Sequence, residues 1–349
     1  MRAILPTMAT IPKDAAAIIL LKDPEDPKVY LVKRNPKLAF MGGFHTFPGG
    51  QVDKEDFSTK VEGCESETES AMRVAAIREG FEEAGVLITK RADTLSGDDV
   101  AEARAALESG ELTFGKLLES HNLSLVASTL LPVGRWVTPP FSPRRFDTWF
   151  FLTWLPEGQE AAVIPGELVH GEWIRPADAL DMWKRCESVM APPTLHALRA
   201  LASLGSDLAD AQARFTAIPE ANRGEVRRIE FGPGILFFPV KTPTLPPATH
   251  TNCYIIGGNE VVIIDPASPY EEEQAALDKF IDTLIGEGRK VREIFLTHHH
   301  RDHVAGSDHL RARLGVKVAA QRLTAERLKG SVTIDRFVED GEIIELDGD

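Results

Sequence analysis

The chain lacks the sequence features of secreted and membrane-spanning proteins. Its 349 residues include only three cysteines, Cys64, Cys186 and Cys253, and no two of them form a CxxC pair. This spacing argues against a disulfide framework and fits a reducing compartment. The N-terminal residues lack the charged start and long apolar stretch of a signal peptide, and no apolar run is long enough to span a bilayer. We therefore expect a cytoplasmic protein that does not bind membranes.

An excess of basic charge is also missing, because the formal net charge is −14. An acidic chain is a poor non-specific ligand for nucleic acid, although a local basic patch is compatible with this composition. Hydrophobic residues make up 43% of the chain and charged residues 26%, an ordinary soluble mixture. A length of 349 residues predicts two domains, and the composition leaves the oligomeric state open.

Hydrophobic patterning predicts a mixed α/β fold in two regions. In the first region, two apolar runs flank the turn sequence DPEDP and predict a β-hairpin, and a helical pattern extends from about Glu67 to Ala84. Further helices are predicted over residues 91–120, 178–186 and 192–204, and strands in RWVTPP, RRFDTWFFLTWL and HGEWIRP. The second region alternates the strands GILFFPV, NCYIIGG, VVIIDPAS, VREIFLT, VKVAA and GEIIELDGD with helices at 270–286 and 307–314. The polar residues 214–228 predict a linker between domains at 10–213 and 229–349.

The sequence REGFEEAG, from Arg78 to Gly85, ends the first helical pattern. On a helix, Glu79, Glu82 and Glu83 share one face, where their like charges repel unless a cation binds. A hard divalent ion such as Mg²⁺ takes oxygen ligands and keeps water positions free for a phosphate. Arg78 can orient Glu82, which lies four residues on, and Gly85 allows the positive φ that ends a helix. The alternative interpretation is a solvated acidic helix face.

Together with the earlier FPGG turn, REGFEEAGV resembles the signature of the Nudix hydrolases, G-x5-E-x7-R-E-U-x-E-E-x-G-U, where U is a bulky apolar residue. The resemblance covers about residues 10–205, and a strand-like V-L-I follows Gly85 as expected. It implies an α/β/α sandwich and a pyrophosphatase that uses Mg²⁺ or Mn²⁺. Glu79, Glu82 and Glu83 are then the metal ligands and Arg78 completes the catalytic group, with the identity of the base left open.

Three positions depart from that signature. Its first glutamate falls on Ser70, its first glycine on Cys64, and its first bulky apolar position on Gly80. The loop before the helix is also longer than in the ordinary signature. We expect Glu67 or Glu69 to replace the missing acid, and we expect metal binding to survive because the three glutamates are intact.

The resemblance extends to one branch of the Nudix family, the coenzyme A diphosphatases. FPGGQVD, AAIREGFEEAGVL, RWVTPPFSPRRFDTWFFL and EWIRPADAL are similar to segments of that branch. This implies a small nucleotide-type substrate bound in a cleft that includes Gly49 and Gly50. Arg144 and Arg145 are then candidate phosphate ligands, because guanidinium groups bind phosphate bidentately. The alternative for the arginine pair is a solvated turn, and Asp147 is assigned to a turn rather than to catalysis.

A second cluster of chemically active residues, H-x-H-x-D-H, follows the buried strand VREIFLT. His298 and His300 can bind one cation, and Asp302 and His303 can bind a second about 3.5 to 4 Å away, as in two-metal hydrolases. Imidazole with carboxylate favours zinc, with iron or manganese as alternatives. Asp265 ends an upstream strand and can orient one of these ligands by a hydrogen bond. The alternative is a coincidental histidine cluster.

THTNCYIIG, VVIIDPAS and FLTHHHRDHVAG resemble the metallo-β-lactamase superfamily, nearest its glyoxalase II and lactamase-like endoribonuclease branch, over about residues 230–349. The resemblance implies an αββα sandwich and gives His299 and Arg301 no role. His250 and His309 are expected to be structural. A complete domain of this family supplies a further His, a bridging Asp and a final His after the motif, and this sequence does not. We therefore expect a partial fold, either a fragment or a remnant, that binds zinc weakly, lacks hydrolase activity and self-associates through an unpaired sheet edge.

The leading hypothesis is a bidomain hydrolase. A Mg²⁺-dependent Nudix pyrophosphatase, with coenzyme A or its acyl forms as the expected substrate, precedes a domain whose full-length form is a two-metal hydrolase of a thioester or phosphodiester. The alternative is a Nudix module that binds a nucleotide or RNA end, attached to a nuclease of the metallo-β-lactamase fold. The departures at Ser70 and Gly80 favour the alternative, and the intact glutamates favour the enzyme.

Overall fold

The computed structural model describes residues 10–90, 95, 97–142, 144–204, 208–246 and 248–347. It divides the chain into two units, Thr10–Val226 and Arg227–Asp349. The expected mixed α/β architecture is confirmed, because each unit combines one large sheet with helices.

The first unit contains a nine-stranded sheet in the order β10-β3-β2-β1-β8-β7-β11, with β4 paired to β1 and β9 to β2. Its strands are β1 (Lys13–Lys22), β2 (Lys28–Arg34), β3 (Phe44–Thr46), β4 (Gly49–Gln51), β7 (Leu131–Val137), β8 (Phe146–Trp154), β9 (Leu168–Ile174), β10 (Val189–Met190) and β11 (Asn222–Glu225). Two further strands, β5 (Val61–Glu62) and β6 (Leu125–Val126), pair with each other. The predicted hairpin is confirmed, since β1 and β2 pair antiparallel with Leu21 opposite Val29.

The main helix of the first unit, α1 (Glu67–Ala84), has the predicted bounds. It begins because the Ser66 side chain accepts a hydrogen bond from the backbone N–H of Glu69, and it ends at Gly85, whose φ is 72°. Its apolar face packs on β1, and Met72, Ile77 and Phe81 are fully buried there. The V-L-I segment after Gly85 is buried but forms no strand, so that expectation was wrong.

The described residues of the first unit also form five shorter α-helices: α2 (Gly97–Ser109), α3 (Phe114–Ser120), α4 (Pro176–Lys184), α5 (Pro192–Leu204) and α6 (Ala211–Phe215). Helices α2 and α3 confirm the prediction for residues 97–120, and residues 91–94 and 96 lie outside the described residues. Arg104 of α2 donates hydrogen bonds to the carbonyl groups of Glu82, at 2.8 and 3.1 Å, and Ala162, at 3.0 Å. The inserted helix therefore caps the C-terminal end of α1.

The predicted linker, residues 214–228, is largely ordered as part of the first unit. It contains the end of α6, a 3₁₀ turn at Pro219–Ala221 and β11, which pairs with β7 so that Asn222 lies opposite Arg135. The backbone groups of β11 form hydrogen bonds with β7, and this pairing attaches the segment to the edge of the sheet. The domain limits at 213 and 229 stay predictions, while the two structural units meet between Val226 and Arg227.

The second unit contains a seven-stranded sheet in the sequential order β12 to β18. The strands are β12 (Ile229–Gly232), β13 (Ile235–Lys241), β14 (His250–Gly257), β15 (Glu260–Ile264), β16 (Lys290–Leu296), β17 (Lys317–Gln321) and β18 (Arg336–Val338). The helices are α7 (Glu271–Gly286), α8 (Arg301–Val304), α9 (Ser307–Leu314) and α10 (Arg322–Arg327). Side chains from α7 and α9, including Ile281 and Leu310, form a core with the strand residues Ile255, Ile263 and Ile294.

One predicted strand of the second unit was wrong. The apolar pair in GEIIELDGD favoured a strand, yet residues 341–347, the described part of that stretch, form none, and Ile343 is exposed. The edge is instead the three-residue β18, which pairs in parallel with β17. A short edge strand offers little surface for pairing with another chain. No helix among the described residues is long and apolar enough to cross a membrane.

Candidate metal and substrate sites

The C-terminal half of α1 and the glycine turn, whose Gly49 and Gly50 begin β4, form the first candidate site. The backbone N–H of Gly49 donates a 2.8 Å hydrogen bond to Oε2 of Glu83. Gly50 lies directly against the carboxylate of Glu79, so that a Cβ at position 50 would overlap it. Strand pairing of Ala16 with Gly50 fixes this arrangement against the central strand. Glycine at position 50 therefore leaves the Glu79 carboxylate in place, whereas a larger residue would displace it.

Arg78 binds the acidic side chains together. Its guanidinium donates from Nη1 to Glu79, at 2.8 Å, and to Glu82, at 3.3 Å. The opposite edge of the same group donates to both carboxylate oxygens of Asp56 and to the carbonyl of Gln51. Arg78 is 7% exposed, so its charge is almost removed from water. Such charge-assisted hydrogen bonds fix the orientation of both partners.

The glutamates of this site have raised pKa values, so they can release protons when a cation binds. Burial raises the pKa of Glu79 to about 7, against the opposing charge of Arg78. Burial and then the charge of Glu79 raise the pKa of Glu83 to about 8, and burial also raises the pKa of Glu82. Crowded, desolvated carboxylates of this kind are the oxygen ligands that a hard divalent cation prefers. The residues therefore fit a divalent metal ion.

The signature departures have structural explanations. Gly80 lets α1 approach β1 closely, since a Cβ there would lie 3.1 Å from Cγ2 of Ile18. The Ser70 hydroxyl donates to the carbonyl of Thr59 and accepts from the N–H of Val61, which ties the inserted loop to α1.

The expected substitute acids do not reach Arg78. Glu69 pairs with Arg73 at 2.9 Å, and Glu67 is exposed at the start of α1. The expectation that Glu67 or Glu69 replaces the missing acid was therefore wrong. The acid beside Arg78 is Asp56, 22 residues earlier in the chain. Asp56 was not predicted from the sequence, because the segment DKED at residues 53–56 has the composition of a solvated acidic turn.

The two arginines assigned to phosphate binding differ in their surroundings. Arg145 donates to the backbone carbonyls of Thr138, at 2.9 Å, and Thr10, at 2.8 Å. Its guanidinium is thus used to hold the chain at the start of β8. Arg144 is exposed, and its own carbonyl accepts a hydrogen bond from Ser142. Of the pair, Arg144 has the more accessible side chain.

Asp147 has a structural environment. It is 3% exposed and accepts hydrogen bonds from Arg135, at 2.6 and 2.9 Å, and from Arg223, at 3.0 Å. The pKa of Asp147 is lowered because these arginines outweigh the opposing effect of burial. Asp147 lies in β8 rather than in the expected turn, and these ion pairs support the interpretation that it has a structural role rather than a catalytic one.

Arg34 is a further cationic side chain beside the glutamates. It ends β2, its positive charge acts to lower the pKa of Glu83, and its nearest acid is Glu167 at 3.9 Å. Its Nε is buried and has no hydrogen-bond partner among the described residues. A buried guanidinium donor without a partner is a candidate anion ligand. The signal in the sequence was a basic residue at the end of the second strand of the hairpin.

The second candidate site lies at the C-terminal ends of β15 and β16. Asp265 adopts a positive φ of 52° and accepts hydrogen bonds from the backbone N–H and the hydroxyl of Thr297, at 2.9 and 2.6 Å. Nδ1 of His303 lies 2.8 Å from the same carboxylate. Ligand atoms of Asp265, His298 and His303 lie within 4.8 Å of one another. Asp265 orients His303, as its place at a strand end suggested.

Of the other two motif residues, His300 contacts this cluster and Asp302 lies outside it. Nε2 of His298 lies 3.1 Å from Nδ1 of His300, and the rings of His298 and His303 are 4.1 Å apart. Burial and the neighbouring histidines lower the pKa of His298, which favours the neutral form that binds metals. Asp302 lies on α8 outside the cluster of Asp265, His298 and His303. The predicted pairs therefore stay predictions, while the structure groups His298 with His303.

The histidines assigned structural roles lie away from this cluster. Nε2 of His309 is 2.8 Å from Oδ2 of Asp278, a contact that joins α9 to α7. His250 begins β14 and contacts Thr249. His299 lies near Arg327, at 3.5 Å. These contacts support the structural interpretation of His250 and His309.

Comparisons with known proteins agree with both resemblances. Residues 62–201 match the family model of the NUDT19 Nudix domain, and residues 246–348 match that of the metallo-beta-lactamase superfamily. Two separate segments of the chain therefore match the two families that the motifs resemble. Both families use divalent metal ions, and the prediction of a hydrolase is confirmed at the level of family.

Three relatives illustrate the two matches. "Putative nudix hydrolase 7" of Caenorhabditis elegans is 29% identical over 54% of this chain and 61% of its own length. "Acyl-coenzyme A diphosphatase NUDT19" of Homo sapiens is 24% identical over 78% of this chain and 82% of its own length. "Hydroxyacylglutathione hydrolase" of Maricaulis maris is 36% identical over 22% of this chain and 31% of its own length. The chain thus spans less than two thirds of the first and the third of these relatives.

Proposed function

We propose that the first unit is a Mg²⁺-dependent Nudix diphosphatase that hydrolyses the pyrophosphate of a nucleotide-type compound. Coenzyme A and its acyl derivatives are the first candidates, since the human NUDT19 relative is named an acyl-coenzyme A diphosphatase. The observation that carries the proposal is the grouping of three glutamates at the glycine turn, where Glu79 and Glu82 accept from Arg78 and Glu83 accepts from the backbone N–H of Gly49. Mn²⁺ is the alternative cation.

Each side chain has a defined part in this proposal. Glu79, Glu82 and Glu83 hold the cation, and one of these carboxylates accepts a proton from the attacking water. The bound cation would neutralise the pyrophosphate oxygens and supply a polarised water. Arg78 keeps two of the carboxylates in place. Gly50 keeps the turn free of side-chain atoms beside Glu79.

One cationic group that can bind substrate phosphate, Arg34, lies near Glu83. Arg34 has an available Nε donor beside Glu83, and guanidinium groups bind phosphate with good geometry. Arg144 remains a proposed contact because its side chain is exposed. Arg145 is better explained as an anchor of β8, because its donors are bound to carbonyl groups.

The second unit is proposed to bind Zn²⁺, with iron or manganese as alternatives. The cluster of Asp265, His298 and His303 supplies nitrogen and oxygen donors, and His300 and Asp302 lie in the same motif. Imidazole and carboxylate donors in this combination suit zinc. The name of the hydroxyacylglutathione hydrolase relative suggests a thioester as the substrate class to test first.

The alternative, a Nudix module that only binds a nucleotide or RNA end, has less support. It would not need three partly buried carboxylates with raised pKa values close to an arginine donor that has no hydrogen-bond partner among the described residues. RNA binding that weakens steeply with salt, without any turnover of pyrophosphates, would favour it instead.

Product mass spectrometry tests the proposal. The chain is incubated with Mg²⁺ and a panel of coenzyme A, acetyl-coenzyme A, NADH, ADP-ribose and dinucleoside polyphosphates. We expect one class to split at its pyrophosphate and Glu82→Gln to lower the rate by at least about 100-fold. Glu67→Gln is the matched control, since Glu67 is an exposed residue of the same helix. A panel that stays intact with folded protein would contradict the proposal.

A further inference from the structure

A row of basic side chains crosses three strands of the first unit. Lys33 of β2 lies directly opposite His170 of β9 on one side and His45 of β3 on the other. Residues directly opposite each other on antiparallel strands point to the same face of the sheet, with Cβ atoms about 5 Å apart. Val32, the residue before Lys33, packs in the core with α1, so the row lies on the face that is turned away from α1.

The row passes from the surface into the interior of the unit. His170 is exposed, Lys33 is half-buried and His45 is 4% exposed. Burial, and then the charges of Lys33 and His170, lower the pKa of His45 to about 4, so its imidazole is neutral at pH 7. The three basic groups therefore lie close enough to act on one another electrostatically.

Ser188 determines which ring nitrogen of His45 carries the proton. Its hydroxyl lies 2.7 Å from Nδ1 of His45, and both side chains are 4% exposed. The hydroxyl has no other acceptor among the described residues, so it donates to Nδ1, and the neutral ring then carries its proton on Nε2. That N–H has no hydrogen-bond partner in the part of the chain that the structure describes. A donor on a buried ring without a partner is available to a ligand.

Lys33 supplies a positive charge beside this donor. Its ammonium group forms no ion pair or hydrogen bond with any described residue. Glu172 is the acid that contacts the row, since its carboxylate lies 3.8 Å from Nε2 of His170. An ammonium group next to a neutral N–H donor suits an anion whose oxygens can accept from both. A phosphate group has the charge and the number of oxygens that this arrangement requires.

We propose that Lys33, His45 and His170 form a binding site for a phosphate monoester. Nε2–H of His45 and the ammonium group of Lys33 donate to its oxygens, and His170 lies at the exposed end of the row. The chain connects this site to the glutamates, because His45 lies four residues before Gly49, whose N–H binds Glu83. Only the source of the phosphate, the substrate or free phosphate, rests on the proposed function.

Nuclear magnetic resonance of the histidine ring nitrogens, during a titration with inorganic phosphate in metal-free buffer, tests the site. We expect the signal of Nε2 of His45 to shift. Lys33→Gln should raise the dissociation constant for phosphate at least about 10-fold, because a charge-assisted hydrogen bond is lost. Lys37→Gln is the matched control, since Lys37 is an exposed lysine just after β2, and it should bind phosphate within about two-fold of the unaltered chain.

Glu172→Gln changes the affinity in the opposite direction. Removing the negative charge beside His170 should lower the dissociation constant at least about two-fold. A variant that fails to fold cannot bind phosphate more tightly, so this result separates electrostatics from a loss of structure. Unchanged phosphate affinity in Lys33→Gln, or no shift of the His45 ring at any phosphate concentration, overturns the proposal.

A pair of substrates identifies the source of the phosphate. Coenzyme A and dephospho-coenzyme A differ by one phosphate monoester, and kcat/KM is measured for both. If the site binds the monoester of the substrate, Lys33→Gln lowers kcat/KM at least about five-fold more for coenzyme A than for dephospho-coenzyme A. An equal effect on both, with weaker binding of inorganic phosphate, assigns the site to free phosphate. Phosphate binding at His45 without turnover of any pyrophosphate refutes the proposed function and supports the site.

Discussion

Cation binding by the first unit should release protons near neutral pH. At pH 7 and without a cation, Glu79, whose pKa is about 7, is partly protonated. Glu83, whose pKa is about 8, is largely protonated. A metal ion requires the ionised carboxylates, so binding must displace those protons. Because both pKa values are raised above the ordinary value, the affinity for the cation should fall as the pH falls.

The number of protons that cation binding releases follows from these two pKa values. At pH 7, Glu79 carries about half a proton and Glu83 about nine tenths, so that binding should release about 1.4 protons. At pH 9 the same arithmetic gives about 0.1 proton. Without a cation, the raised pKa values also mean that the folded unit holds more protons than the unfolded chain between about pH 5 and pH 8. Its free energy of unfolding should therefore fall as the pH rises through that window.

Isothermal titration calorimetry in two buffers of different ionisation enthalpy measures the released protons. The difference in heat between the buffers should be large at pH 7 and close to zero at pH 9. Glu83→Gln should reduce the release at pH 7 to about half a proton, while the exposed Glu67→Gln should leave it unchanged. Equal heats in both buffers at pH 7, with a cation demonstrably bound, would refute the electrostatic reasoning.

Three further predictions concern single positions. Gly50→Ala should lower pyrophosphate turnover at least about ten-fold with unchanged circular dichroism, because its Cβ displaces the Glu79 carboxylate; normal turnover would contradict this. Asp335→Asn should lower the free energy of unfolding of the second unit by about 1 kcal/mol in a urea titration. The pKa of Asp335 is lowered to about 2 by its arginine partner, so the difference from Asn should exist above pH 4 and vanish as the pH approaches 2. His303→Ala should reduce zinc content, measured by mass spectrometry, relative to His309→Ala, and equal content would argue against the cluster.

Local sequence signals were sufficient for the helix that carries the first site. The capping serine at position 66 and Gly85 define both ends of α1, and the spacing of the glutamates places them on one face. These features depend on residues within a few positions of each other. They could therefore be predicted from the sequence without any tertiary information.

The contacts that complete the site could not be predicted in this way. Asp56 reaches Arg78 only because the inserted loop folds back over α1, and Glu67 and Glu69 looked better placed by sequence distance alone. Arg34, at the end of β2, acts electrostatically on Glu83 although the two residues are far apart in the sequence. Such partners depend on the path of the chain rather than on local pattern.

In the second unit, too, the local motif could be predicted from the sequence and the long-range contacts could not. The motif from His298 to His303 marked the metal cluster, while the contact of Asp265 with His303 joins residues 38 apart. The terminal strand was wrong because two adjacent isoleucines favour a strand locally, yet no neighbouring strand pairs with them in the described residues.

Hydrolysis of coenzyme A in ¹⁸O-labelled water tests the central claim most directly, namely that the glutamates of α1 form a cation-dependent diphosphatase site. With Mg²⁺, the account predicts two phosphate-bearing products, one of which carries a single ¹⁸O atom, and no products after chelation or in Glu82→Gln. Cleavage that persists unchanged in Glu82→Gln, or products without the label, would contradict it.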